Sequence, residues 1–440
     1  MGAKELLRYY KEHVMTAEEA VKLVKSGDTI LDGHGHGRSE ILMKALCDRA
    51  DKYHDFENVK DTTGYNLGQS PQCDPKYEGI IRHVSSFDLG TTRQAHWEGR
   101  ADYVSCHFSQ FEHAHRKMGI DVVFCQCTPP DENGNVSLGL SVDITRNGID
   151  ICRDAIAQVN PNLPWLDGDA VLPVTAFSAF VEQEADIFEI PEAKNPSETD
   201  LKIAENVAQL VKDGDTLQIG VGNVPDTVLG LLTNHKHLGI HTELGSTGIM
   251  KLMQKGVIDN SMKTINQGKV ICTLMGGTKE FYNFVDHNKE FEMRYSHYVL
   301  DPRVISQHKN MVALNSTIEI DLYGQANSEM IGGKEFSGVG GQVDFLRGAM
   351  MSEGGRSILC IPATAKKGTQ SRIVSQLAAG TVVTASRYDL MYVVTEYGIA
   401  DLFGKTDAER AKELIKIAAP QFREQLEKDF YEKIYAPAKF

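Results

Sequence analysis

TDLKIAENVAQLVKDGDTLQIG, residues 199–220, packs four signals into one stretch. It has an acidic helix start, apolar residues at helical spacing, a Lys-x-Gly-Asp-Thr turn, and a short aliphatic strand that runs into glycine. The same plan stands near the start of the chain as TAEEAVKLVKSGDTILDG, residues 16–33. In each copy the glycine after the helix is a natural C-terminal stop. Each strand then opens into a Gly-rich loop, GHGHGRSE (33–40) or GVGNVPDT (220–227), followed by an amphipathic helix, EILMKALCDRA (40–50) or DTVLGLLTNH (226–235). Next come short segments that join an acidic residue to a small-residue tail, VKDTTG (59–64) and HTELGSTG (241–248), the second read as a strand ending at Glu243.

The correspondence continues more loosely. PPDENGNVSLGLSVD (129–143) and IDLYGQANSEMIGGKEFSGVGGQVD (320–344) both read as hairpins around Gly-Asn-type turns. A repeat of this length is too long for a solenoid unit, so the expected fold is α/β, with two similar open domains, largely parallel sheets and internal duplication. The Pro- and charge-rich EIPEAKNPSETD (189–200) reads as the linker, giving an N-terminal domain over 1–190 and a C-terminal domain over 191–440. The stretch 406–435 reads as helical, with Pro420 separating two helices.

Bulk properties narrow the function. The chain has 440 residues, 41% hydrophobic and 24% charged, which suits a globular protein of two or more domains. A net charge of -14 argues against nucleic acid as the main partner, and no apolar run approaches a membrane span. The eight cysteines are scattered without a CxxC pair, as in a reduced, cytoplasmic protein.

Several segments carry chemistry. GVGNVP, a glycine loop between strand and helix, exposes backbone N–H groups suited to phosphate or a carbonyl oxygen, although such turns also serve close packing. Pro225 stands where a dinucleotide fingerprint wants glycine, and no Walker GK[ST] follows. Gly220 and Glu243 lie 23 residues apart, one helix and one strand, which places both at the carboxyl edge of a parallel sheet. EFSGVGGQVDFLRGA (335–349) is either a flexible turn or a rigid loop whose backbone closes on a ligand. Asn315, at the end of a strand, is a turn residue or an oxyanion donor. Lys366, Lys367 and Arg372 suit either solvent or a phosphate, and Glu396 is structural or lines the site. His34 and His36 lack a convincing set of further metal ligands, and no G-x-S-x-G nucleophile elbow is present.

The ordered motifs GVGNVP, HTELGSTG, NSTIEIDLYG, EFSGVGGQVDF and TEYGIADL, with CTPPDENGNVSLGLS and the Lys-x-Gly-Asp repeats, run nearly the length of the chain. In this order they resemble the acetyl-CoA hydrolase/transferase family of class I CoA-transferases, on the 4-hydroxybutyrate and butyryl-CoA:acetate branch. The resemblance implies that Glu243 is the nucleophile and that Gly220, Val221, Gly222, Asn223 and Val224 form a CoA-binding segment in the C-terminal domain. It also implies that Gly340, Gly341 and Asn315 sit at the thioester oxyanion and CoA, and that Lys366 contacts CoA. The implied reaction is a ping-pong transfer of CoA from a short-chain acyl-CoA to a free carboxylate through a glutamyl-CoA thioester, with no metal and no permanently bound cofactor. The expected partners are acyl-CoA, a short carboxylic acid and a second copy of the chain in a homodimer or larger homo-oligomer. An acyl-CoA hydrolase using the same Glu, or a silent acyl-CoA-binding protein, are the alternatives. Two departures bear on the acceptor acid: Ser246-Thr247-Gly248 stands where the family commonly has Ser-Asp-Gly, and GHGHGR differs from the usual N-terminal loop.

Overall fold

The computed structural model describes residues 1–192, 195–220 and 222–435. Both copies of the Lys-x-Gly-Asp-Thr plan fold alike. Gly27 and Gly214 take left-handed backbone angles, φ 81° and 78°, that a side chain would strain. Asp28 and Asp215 then accept the N–H of the lysine three residues back, at 2.8 and 2.6 Å. Each aspartate is also paired with an arginine, Arg153 at 2.8 Å and Arg356 at 2.7 Å. The helices differ in length. Thr16 caps a short helix, Ala17–Ala20, whereas Ser197 caps Glu198–Ala208.

Seven parallel strands form the first sheet, in the order Ala179–Glu182, Asp154–Val159, Val122–Cys127, Thr29–Asp32, Val59–Thr63, Ile81–Ser85 and Ala101–Tyr103. The second runs Gly239–Ile240, Thr216–Ile219, Met311–Ser316, Arg356–Cys360, Tyr392–Thr395 and Gly398–Asp401, parallel except for its last strand. The sheets are therefore similar and largely parallel, as the repeat implied. Helices cover their outer faces: Ile30, Phe124 and Ile156 pack on Leu42 and Leu46 in the first half, and Leu359 and Val393 pack with Leu414 in the second. The inner faces share one cluster that runs from Leu31 and Val123 to Leu217, Leu314 and Val394. Strands buried on both faces read as continuous apolar runs, which is how these appear in the sequence.

The repeat breaks down at one edge of the second sheet. The strand before Glu243 pairs in the main sheet only over Gly239–Ile240 and stops short of Glu243. Thr242 donates its N–H to Ile271 at 3.0 Å, and Leu244–Ser246 joins Leu274–Gly276 in a separate two-stranded ribbon. Glu243 stands in the gap between sheet and ribbon, its carbonyl accepting the N–H groups of Thr273 and Leu274 at 3.2 and 3.0 Å.

Register also corrects the match between the acidic positions. Thr29 pairs with Lys60, and its counterpart Thr216 pairs with Gly239. Four residues beyond each partner stand Gly64 and Glu243, so glycine, not Asp61, occupies the glutamate's place in the first half. Asp61 is buried against His83 Nδ1 at 2.9 Å and Gln72 Nε2 at 2.7 Å.

Of the two hairpins, the second forms as Glu319–Asp321 against Ala326–Asn327. Asn135–Ser137 instead pairs with the distant Val171–Pro173. The C-terminal stretch folds as Asp407–Ile417 and Pro420–Asp429, with Pro420 opening the second helix.

Candidate active site

The carboxyl ends of the two sheets face each other across a cavity of about 200 Å³. From the first half, His34, Tyr65 and Phe87 follow successive strands, and Phe108 and Phe111 close that side. From the second half come Gln218, Gly220, Glu243 and Asn315. The loop Ser337–Gly341 bridges the halves: Asp88 donates its N–H to Ser337 at 3.1 Å, and Phe108 donates its N–H to Gly340 at 3.2 Å. Gly340 is left-handed, φ 53°, and a Cβ on Gly338 would meet Ser86 O and the Tyr103 hydroxyl, so the seam admits backbone only. A smaller cavity of about 90 Å³ adjoins the first and shares Tyr65, Gly220 and Leu244 with it.

Glu243 is partly exposed and lines the main cavity. Its carboxylate takes a backbone hydrogen bond from Gly341, the residue that opens helix Gln342–Met351. A Cβ on Gly341 would overlap Glu243 Oε2 and Leu300 Cδ2, which explains glycine at this position. Burial pushes the Glu243 pKa up to about 8, against the pull of the Gly341 N–H and with a further push from Asp344 and Asp143. Among the described residues, none of the charges perturbing Glu243 is a cation. Asp344 is itself buried; it accepts Ser109 N–H at 3.0 Å and Ser109 Oγ–H at 2.7 Å, and burial raises it to about 6. A carboxylate of raised basicity, held at a helix N-terminus with no cation among the described charges that perturb it, has the chemistry a nucleophile needs.

Asn315 ends its strand facing Gln218, and the two amides exchange hydrogen bonds: Asn315 Nδ2 to Gln218 Oε1 at 2.9 Å, and Gln218 Nε2 to Asn315 Oδ1 at 3.3 Å. The pair fixes both amide planes beside Glu243 and leaves one further N–H on each for a ligand. Sequence reading missed Gln218. The signal was available, because Gln218 interrupts an aliphatic strand where the first copy has Leu31.

The other site residues are placed as follows. Gly220 lines the cavity, and its N–H goes to Leu314 O at 2.9 Å. Gly222, φ 121°, precedes helix Asn223–Leu231, in which Asn223 is exposed and Val224 buried; Val221 lies outside the described residues. Lys366 is exposed at the tip of the hairpin Thr364–Ala365 and Gln370–Ser371 and does not line the cavity. Glu396 accepts the Ala363 N–H at 2.8 Å and holds that segment in place. Thr247 opens helix Thr247–Gln254, and its Oγ accepts the Thr278 N–H at 3.0 Å. His36 hydrogen-bonds with the Phe188 carbonyl at 2.8 Å, and the His-rich stretch HFSQFEHAHRKMG (107–119) folds largely as helix Phe111–Met118. Among the described residues there is no group of three or more His, Cys, Asp or Glu arranged to hold a metal, all eight cysteines are free, and no helix is long and apolar enough to cross a membrane.

Comparison with known proteins gives two family matches. Residues 3–192 match the acetyl-CoA hydrolase/transferase N-terminal domain and residues 277–430 the corresponding C-terminal domain. The 4-hydroxybutyrate coenzyme A transferase of Clostridium kluyveri is 41% identical over 96% of this chain and 98% of its own. RipA from Yersinia pestis superposes with a TM-score of 0.93 at 33% identity, covering 98% of this chain and 99% of RipA. The 4-hydroxybutyrate CoA-transferase of Porphyromonas gingivalis does so with a TM-score of 0.84 at 34% identity, covering 97% of this chain and all of that one.

Proposed function

The chain belongs to the acetyl-CoA hydrolase/transferase family of class I CoA-transferases, and on that premise we propose that it works by a ping-pong mechanism through a glutamyl-CoA thioester on Glu243. It is a CoA-transferase, carrying CoA from an acyl-CoA to a free carboxylate. In the first step a Glu243 oxygen attacks the thioester carbonyl, the C–S bond breaks and CoA thiolate leaves, giving a mixed anhydride. The thiolate then attacks Glu243 Cδ, and the first acid departs as its carboxylate. A second carboxylate reverses both steps, so thioester energy is kept and no nucleotide is spent.

One observation carries this reading: the Glu243 carboxylate sits on the Gly341 N–H at the mouth of helix Gln342–Met351, with no perturbing cation among the described residues, and burial raises its pKa to about 8. The amides of Gly340, Gly341 and Asn315 are the oxyanion donors, and Gln218 holds the Asn315 amide in plane. The Gly220–Val224 loop and the more distant Lys366 are CoA contacts. The aromatic walls and the cavity of about 200 Å³ suit short acids of the acetate, butyrate or 4-hydroxybutyrate type. The same reading divides the chain into domains at 190/191 and makes the protein a cytoplasmic homodimer or larger homo-oligomer.

Butyryl-CoA incubated without acceptor, followed by peptide mass spectrometry, tests the mechanism. The expected product is a CoA thioester on the peptide holding Glu243, absent in Glu243→Gln, which should lose about a thousandfold or more in exchange rate. An unmodified Glu243 peptide together with full exchange in Glu243→Gln sinks the mechanism. Free acid that keeps accumulating without acceptor makes water the acceptor and the enzyme a hydrolase.

A further inference from the structure

The two copies differ in how the strand ahead of the Gly64 and Glu243 positions is held. In the first half Val59–Thr63 has a strand on each side, Thr29–Asp32 and Ile81–Ser85. In the second half Gly239–Ile240 is the edge of its sheet, paired with Thr216–Ile219 only. The outward-facing backbone of every other residue must then find partners elsewhere. Leu238 donates its N–H to Val257 O at 3.0 Å and accepts those of Asp259 and Asn260 at 3.2 and 3.1 Å. Thr242 donates to Ile271 O at 3.0 Å. Ile240, between them and in register with Asp61, is met by side chains: its N–H goes to Asn260 Oδ1 at 2.9 Å, and its carbonyl accepts Lys263 Nζ at 2.7 Å.

Lys263 is 4% exposed, and its stem lies against Gly239, where a Cβ would overlap Lys263 Cγ. Its Nζ also donates to Lys269 O at 2.6 Å, one residue before the strand Val270–Cys272. A single amine therefore spans the wedge between the edge strand and the segment that the chain joins on leaving it. Thr273 and Leu274, which follow that segment, donate to the Glu243 carbonyl at 3.2 and 3.0 Å. We propose that Lys263 is a positioning residue for Glu243: with Asn260 it stands in for the missing strand at Ile240 and sets the angle at which the chain departs, three residues before the nucleophile. This rests on the Glu243 reading above. Burial pushes the amine down to about 7, against the pull of Cys272 and Glu292. A neutral amine keeps two N–H groups, enough for two carbonyls, so the brace holds on either side of that value. The charges acting on Glu243 are those of Asp344 and Asp143, so Lys263 works through the backbone and not through its charge.

The test measures kcat and KM with butyryl-CoA and acetate, and the first-turnover rate of acid release from butyryl-CoA alone, each well below the melting temperature of the variant. Lys263→Met keeps the length of the stem and removes both N–H bonds. It should slow kcat and the first turnover by about thirtyfold while KM for butyryl-CoA stays within about threefold, since a small misplacement of a reacting group is felt in the chemical step. Lys263→Gln, which keeps an amide N–H, should recover part of the loss. Asn260→Gly suits the left-handed backbone at that position, φ 55°, and removes only the acceptor for Ile240, so it should slow both rates in the same way. A kcat within about twofold of native in Lys263→Met, or a loss carried by KM alone, overturns the assignment. Native rates in Lys263→Met while Glu243→Gln is inactive remove Lys263 alone. Full exchange in Glu243→Gln removes the nucleophile and the positioning role with it. Should Lys263→Met not fold, Lys263→Gln and Asn260→Gly decide, and native rates in both overturn the proposal.

Discussion

Glu243 sets the pH behaviour at the residue scale. On the proposed mechanism only its carboxylate attacks, and burial pushes its pKa up to about 8. The kcat/KM for acyl-CoA should therefore rise with pH and level off near that value, as initial rates across a pH series will show. A flat profile between about 6 and 9 contradicts a protonated resting carboxyl. The same shift costs stability. Its folded pKa is above the ordinary 4.5, so between 4.5 and about 8 the folded chain holds a proton that the unfolded chain gives up. Stability attached to this group is present below that window and is lost as pH rises through it. Glu243→Gln should melt higher than the native protein, the gap widening across the window and becoming constant above it, as thermal melts at several pH values will reveal. Tyr65, on the same cavity, is raised by burial first and by the Glu243 charge second, which agrees with a site short of positive charge.

At the scale of elements, most of the scaffold was legible and the most telling contacts were not. The helix, Gly turn and strand of each copy are local patterns, so TAEEAVKLVKSGDTILDG and TDLKIAENVAQLVKDGDTLQIG announced that order. The helices end earlier than expected, at Ala20 and Ala208, and Gly27 and Gly214 turn the chain into the strand instead of stopping the helix. The placement of Gly220 and Glu243 at one sheet edge followed from the parallel crossover between their strands. The departure of the chain after Ile240 was hidden, because it depends on Ile271, whose approach no local pattern encodes. Likewise the lodging of Ser337–Gly341 against Ser86, Phe87 and Phe108 is a tertiary event, and the sequence left that loop open between turn and ligand cradle. Gln218 shows how comparison of the copies can recover a missed residue, since it is polar where the first copy has the apolar Leu31. Gln218→Leu, which installs the first copy's residue, should cut kcat by about tenfold to a hundredfold with little change in KM for acyl-CoA. Steady-state kinetics decide it, and an unchanged kcat removes the Gln218–Asn315 pair from the oxyanion site.

Across the whole molecule, the two sheets share one apolar cluster, and the cavity takes its walls from both halves. Differential scanning calorimetry should accordingly show one cooperative transition; two resolved peaks indicate halves that unfold independently. On the proposed mechanism the second half supplies the reacting groups and the first the wall behind the acyl chain, a division of labour within a duplicated plan. Register makes that division strict, because Gly64 occupies the place of Glu243 and the first half has no carboxylate to offer there. The consequence is a stoichiometry. Rapid mixing of excess acyl-CoA with enzyme, before any acceptor is added, should release one equivalent of acid per polypeptide and then stop, so the burst amplitude counts chains one for one, whatever the number of copies in the assembly.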